Sequence, residues 1–198
     1  QYGPSFLVAL GNGAVDAIVH RRWIMASSSA AIVVSTVLWG MITMAQVEGS
    51  LPVAAVFTSF SPQEKWSPAH LGRMVSDLTA ITERARRDGA RLVVWPETAL
   101  PVDLLGPSGL ASEVGALARR GRVGLLATSL QEGRYNLVVS FGPDGKVLGR
   151  YDKVIPVPFV ETHLRPGGRI APLPSAIGPV GTVVCWESMF PWVFQTHV

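Results

Sequence analysis

The sequence predicts an α/β domain preceded by a membrane-spanning helix. Three observations carry this: residues 23–45 hold no charged side chain, short apolar runs alternate with amphipathic stretches from residue 53 onward, and two late apolar runs flank a Gly-Pro-Asp-Gly turn. Of the 198 residues 48% are hydrophobic, more than a soluble domain of this size normally needs, so part of the chain is expected to touch lipid. The formal net charge is only +3, with Lys and Arg scattered rather than gathered on one face, which argues against nucleic acid as a partner. One cysteine forms no internal disulfide, and His20, His70, His163 and His197 lie too far apart for metal-ligand spacing.

WIMASSSAAIVVSTVLWGMITMA, residues 23–45, is long enough as a helix to cross ~30 Å of hydrocarbon. Its Ser and Thr hydroxyls can bond carbonyls one turn earlier, and its small residues permit close helix packing. A preceding apolar stretch, 5–19, reads as the remainder of another membrane helix and disfavours a signal peptide. His20, Arg21 and Arg22 between them mark a cytoplasmic turn, which puts the following domain outside the cytoplasm. Residues 1–50 thus form a membrane segment and 51–198 a separate domain. The chain starts at Gln1, within what reads as a longer protein.

After a linker, QVEGSLP, the run VAAVF (53–57) predicts a strand. Ser67 and Pro68 supply an N-cap and first turn for a helix carrying Leu71, Val75, Leu78 and Ala85, with Gly89 as its stop. RLVVW (91–95) reads as a strand, a helix follows through Leu110, Val114 and Leu117, and VGLLATSL (123–130) is the next strand. This alternation implies βαβ units. Residues 136–151 predict a hairpin around GPDG, and GTVVCW (181–186) a final strand.

Three predicted strand ends each deliver a reactive side chain: Glu97, Lys153 and Cys185. A carboxylate can take the proton of a thiol, and an ammonium both favours the thiolate and stabilises an oxyanion on an attacked carbonyl. Together the three suffice for acyl transfer without a cofactor or metal. Singly, each has an ordinary alternative: a helix-start carboxylate, a solvated strand-end charge, a small buried hydrophobe. G-x-S-x-G, G-x-G-x-x-G and P-loop motifs are absent, which disfavours a serine hydrolase and a nucleotide enzyme.

WPETALP (95–101), YDKVIPVPFVE (151–161) and VVCWESMFP (183–191), in this order, resemble the Glu, Lys and Cys motifs of the nitrilase superfamily of carbon-nitrogen hydrolases. More narrowly they resemble its apolipoprotein N-acyltransferase branch, as does the membrane-like opening YGPSFLVALGNGAV. The resemblance implies an α-β-β-α sandwich in which Glu97 is the general base, Lys153 the oxyanion-stabilising cation and Cys185 the nucleophile that becomes a thioester. It also implies that Glu161 orients Lys153 or assists proton transfer, and that Glu187 supports the nucleophile, with a helix-start carboxylate or ion-pair partner as its alternative. Trp66 and Trp186 match aromatic positions expected to contact substrate, Trp66 having an interfacial anchor as its ordinary alternative.

The implied partners are a phospholipid acyl donor, a lipoprotein acceptor and the bacterial plasma membrane itself, with the domain on its extracytoplasmic side. A membrane-tethered amidase or nitrilase-type hydrolase, and a non-catalytic truncated paralogue, remain alternatives. The chain departs from the family pattern at Val160, where Gly is usual, at Trp186, where Tyr is usual, and in ending at Val198. That ending predicts an incomplete sandwich with an open apolar edge, inactive by itself.

Overall fold

The computed structural model describes residues 2–45 and 51–196, with side chains from Phe6 to Met44 and from Leu51 to Thr196. The chain divides into two compact units, Gln1–Ser50 and Leu51–Val198; the linker positions 46–50 lie outside the described residues.

In the first unit, helices α1 (Tyr2–Val19) and α2 (Trp23–Ala45) pack on each other through a turn at Arg21, which takes a positive φ of 56°. Ala17 and Ala26 are buried, one on each helix, as small residues at a close helix contact should be. Trp23–Met44 is long and apolar enough to cross a membrane, and α1 adds a shorter apolar stretch, Phe6–Val19. The hydroxyls of Ser27, Ser28, Thr36 and Thr43 each donate to the carbonyl four residues earlier, at 2.8–2.9 Å. These four hydroxyls are thereby satisfied without water.

The second unit is built on a five-stranded sheet in the order β1-β2-β3-β4-β5: Val53–Ala55, Leu92–Val94, Gly124–Gln131, Tyr135–Phe141 and Val147–Asp152. The first three strands are parallel, joined by crossovers through α4 (Leu71–Arg87) and α5 (Leu110–Gly121); β3, β4 and β5 run antiparallel. Side chains alternate across the sheet. Val93, Leu125, Ala127, Leu137, Val139 and Phe141 face both helices, meeting Met74 and Leu78 of α4 and Val114, Leu117 and Ala118 of α5. Leu92, Leu126, Val138 and Tyr151 face the other way, against Leu173 and Val184. A helical layer thus covers one face, and a two-stranded ladder, β6 (Leu173–Ser175) with β7 (Gly178–Val180), adds to the cover of the other.

Two expectations are corrected. Ser67 makes no side-chain capping bond; Pro68–His70 form a 3-10 turn, and α4 proper begins at Leu71. The capping box lies six residues earlier, where Ser61 and Glu64 satisfy each other's backbone N–H groups and start the short helix α3 (Pro62–Lys65). GTVVCW is not a strand. Val184 has extended dihedrals, but its N–H donates to the Glu187 carboxylate at 2.8 Å instead of a ladder carbonyl, and Cys185–Met189 turn as a 3-10 helix. A side chain within the segment takes the hydrogen bond that a neighbouring strand would have needed.

The β4–β5 hairpin closes at residues 142–146 with Gly145 at φ 83°, and this turn sits directly under α5. A Cβ on Gly115 would lie 2.4 Å from the Gly145 carbonyl oxygen, so only two glycines permit the approach. Gly115→Ala is therefore expected to destabilise the domain by about 1–3 kcal/mol, seen as a melting midpoint lowered by roughly 3–10 °C. An unchanged thermal melt would contradict this account of the α5 contact.

Candidate active site

Glu97 lies three residues beyond β2, in a loop held by side chains of the neighbouring strand β3. The Thr128 hydroxyl donates to the Pro96 carbonyl and accepts from the Ala99 N–H at 2.9 Å. The next residue, Ser129, donates to the Val102 carbonyl at 2.6 Å and accepts from the Leu104 N–H at 2.9 Å. Thr98, beside the glutamate, has φ 48°, a conformation that these anchors impose on a β-branched residue. From the other side, the Lys65 ammonium at the end of α3 donates to the Glu97 carbonyl at 2.9 Å, and burial holds its pKa below the ordinary lysine range against the pull of Glu97.

Lys153 follows the end of β5, its N–H bonded to the Asn136 carbonyl of β4 at 2.8 Å. Its side chain is 1% exposed and its ammonium meets two carboxylates: Glu97 Oε1 at 3.2 Å and Glu161 Oε2 at 2.8 Å. Burial alone would lower its pKa, but the Glu161 and Glu97 contacts outweigh that and raise it, so the group stays an ammonium. Glu161 shows the converse balance. Burial works against its charge, yet the bond from Lys153 and the Val157 N–H, donating at 2.6 Å, hold its pKa below the carboxylate norm. The turn that carries it, Val157 to Glu161, includes Phe159 at φ 65°.

Cys185 opens the 3-10 turn in a left-handed conformation, φ 48°, which costs a non-glycine residue on the order of 1 kcal/mol. The residue is exposed, and its thiol feels the charges of both Glu97 and Lys153. Partial burial of the sulfur first, and then the Glu97 charge, push the thiol pKa up, with Lys153 pulling it down less strongly. At rest the group is a neutral thiol beside a carboxylate.

Glu187, two residues on, is fully buried and gathers four donors: the N–H groups of Val184, Val154 and Ile155 at 2.8, 2.6 and 3.2 Å and the Tyr151 hydroxyl at 2.9 Å. Burial, reinforced by Glu187, holds the Tyr151 phenol protonated well beyond its usual range. Glu187 therefore ties the cysteine turn to the segment just after Lys153.

The fold thus brings Glu97, Lys153, Cys185 and Glu161 into one cluster, with Glu187 bracing it from behind. Neither tryptophan side chain bonds to these groups. Trp66 is 59% exposed, and Trp186 packs edge-to-face on Phe190 with ring centroids 6.0 Å apart, its buried indole N–H unbonded. Among the described residues no group of three His, Cys, Asp or Glu side chains is arranged to hold a metal ion. Sequence reasoning missed Asn136, whose amide donates to Glu97 Oε1 at 2.9 Å, and also Lys65 and Thr128. Only Asn136 left a signal, a polar residue opening an otherwise apolar strand run.

A thiol and a carboxylate brought together beside a buried ammonium can attack a carbonyl, take up the displaced proton and hold the oxyanion. Over the whole chain the sequence is 28% identical to an apolipoprotein N-acyltransferase of Geobacter metallireducens, of which it covers 45%. It is 28% identical to that of Synechocystis over 77% of the chain and 32% of the relative, so it spans less than half the length of either. An amidase from Nesterenkonia sp. shares the fold with a TM-score of 0.60 over 76% of this chain and 62% of the amidase, at 20% identity. The carbon-nitrogen hydrolase family model matches residues 61–195, the stretch that runs from the Ser61 cap through Glu97, Lys153 and Cys185 to α6 (Pro191–Gln195), and the chain belongs to that family.

Proposed function

We propose that the protein transfers a fatty acyl group from a membrane phospholipid to the amino-terminal cysteine amine of lipoproteins, with Cys185 carrying the acyl group as a thioester. The observation that carries this reading is the ion pair of Glu97 with the buried Lys153 ammonium, 3.2 Å apart, set where both charges act on the exposed Cys185 thiol. The names of the sequence relatives supply the substrate classes, and α2 supplies a reason for them: donor and acceptor are both lipid-anchored.

In the first half-reaction Glu97 accepts the thiol proton as sulfur attacks the ester carbonyl, and the Lys153 ammonium stabilises the tetrahedral oxyanion. The C–O bond then breaks and the lysophospholipid alkoxide leaves with the proton from Glu97. In the second, the acceptor's α-amine attacks the thioester carbonyl and gives up a proton to Glu97. The C–N bond forms, the C–S bond breaks, and that proton returns to sulfur. Glu161 keeps the ammonium oriented, and Trp66 and Trp186 supply aromatic contacts to substrate. The basic turn at His20, Arg21 and Arg22 favours a bacterial plasma-membrane location with the domain on the extracytoplasmic side.

The alternative is hydrolysis, with water as the second nucleophile. The same cluster would serve it, and the membrane helix together with the sequence relatives favours transfer. Incubation of the full-length parent protein with phospholipid vesicles is expected to give a hydroxylamine-sensitive acyl adduct that Cys185→Ala abolishes. An adduct persisting in that variant excludes the thioester mechanism. Addition of a diacylated lipopeptide is expected to discharge the adduct onto the peptide amine; release of free fatty acid alone would establish the hydrolase.

The electrostatics give a second expectation. Since the Glu97 charge raises the thiol pKa, Glu97→Gln should move the pH profile of Cys185 alkylation by iodoacetamide to lower pH, while slowing adduct formation by about 10²–10⁴-fold through loss of the base. The variant then alkylates faster and acylates slower at neutral pH. Parallel changes in both rates would count against Glu97 as the proton acceptor.

A further inference from the structure

We infer that Asn136 is a positioning residue for the proposed reaction: its amide fixes Glu97 through Oε1, so that the second carboxylate oxygen is the one presented to the Cys185 thiol. This rests on Glu97 acting as the proton acceptor.

Asn136 lies in β4, paired opposite Leu130, and is 3% exposed. The strand runs on as Leu137, Val138 and Val139, all buried, so packing alone would favour an apolar residue at its head. Its Nδ2 donates to Glu97 Oε1 at 2.9 Å, the same oxygen that the Lys153 ammonium meets at 3.2 Å. Glu161, on the far side of that ammonium, is held instead by the Val157 N–H at 2.6 Å. The backbone carbonyl of Asn136 accepts the Lys153 N–H at 2.8 Å. A single residue thus sets the amide against one partner of the ion pair and the main chain against the other.

The remaining atom of the side chain sharpens the case. Asn136 Oδ1 is buried and accepts no hydrogen bond. A buried acceptor without a donor is a standing loss to the fold. Turning the amide over would set Oδ1 against the Glu97 carboxylate, so the donor orientation is fixed by the site. An amide kept at the expense of an orphaned oxygen is explained by what its N–H₂ group does for the Glu97 carboxylate. Held by an ammonium and an amide together, Glu97 cannot swing away from sulfur when Lys153 turns to an oxyanion.

Asn136→Leu removes the donor and the orphaned acceptor together at similar volume; Asn136→Asp keeps the shape and sets a third carboxylate against Glu97 and Glu161. The expected result for Asn136→Leu is a melting midpoint within a few degrees of the parent, adduct formation from phospholipid slowed roughly 10–100-fold, and an unchanged half-saturating phospholipid concentration. For Asn136→Asp, the added charge is expected to raise the midpoint of Cys185 alkylation by about one pH unit. Should Asn136→Leu lose its fold, the isosteric Asp variant decides the matter. The inference is overturned if either folded variant acylates at the parent rate with an unchanged alkylation midpoint, or if lost activity is matched by a proportionate loss of thermal stability. Failure of the underlying reading is separable: in that case Glu97→Gln itself leaves alkylation and acylation as in the parent.

Discussion

The structure depends on one buried cation. The Lys153 ammonium is removed from water, and such a group is tolerated only where charge and hydrogen bonds replace its hydration. Glu97 and Glu161 do so, but two carboxylates drawn to one ammonium also repel each other, and the Val157 N–H and the Asn136 amide absorb that strain. The partners come from the ends of β2 and β5 and from the turn beyond, with 56 residues separating Lys153 from Glu97 along the chain. No local segment can assemble such a centre. It exists only once β3 and β4 stand between those two strands, so sheet assembly and site assembly are one event.

Side chains, more than ladder bonds, hold the reactive loops. Thr128 and Ser129 of β3 take both the carbonyls and the N–H groups of the segment around Glu97, beside a single parallel bridge from Leu100 to Ser129. Glu187 performs the equivalent task for the residues after Lys153 and before Cys185. In each case a short polar side chain positioned by regular structure satisfies irregular backbone that would otherwise be buried unbonded. The sheet supplies rigidity, and these side chains carry it outward to the chemistry.

Much of the fold was legible because its elements have strong periods. The uncharged stretch 23–45 became α2, the VGLLATSL run became most of β3, and the GPDG hairpin formed with both strands where alternation put them. The misreadings share a cause, since Ser67 and GTVVCW were judged from local residue type, while the outcome turned on which competing partner took a hydrogen bond. Ser61 already made the capping box, and Glu187 claimed the Val184 N–H. In the site, Glu97, Lys153 and Cys185 could be singled out because the motifs around them resemble one family in order; predicted strand ends alone would not have sufficed, and Cys185 in fact opens a 3-10 turn. Lys65 and Thr128 could not, because a lysine on a short helix and a threonine in a strand are ordinary until the tertiary fold sets them against the Glu97 loop.

The resting state of Cys185 has a consequence for durability. Oxidants such as peroxide act on the thiolate, and here partial desolvation and an adjacent negative charge keep sulfur protonated. An exposed cysteine that ionised readily would be prone to irreversible over-oxidation, yet this one holds its proton. A solvent-facing sulfur is thereby sheltered by its immediate surroundings.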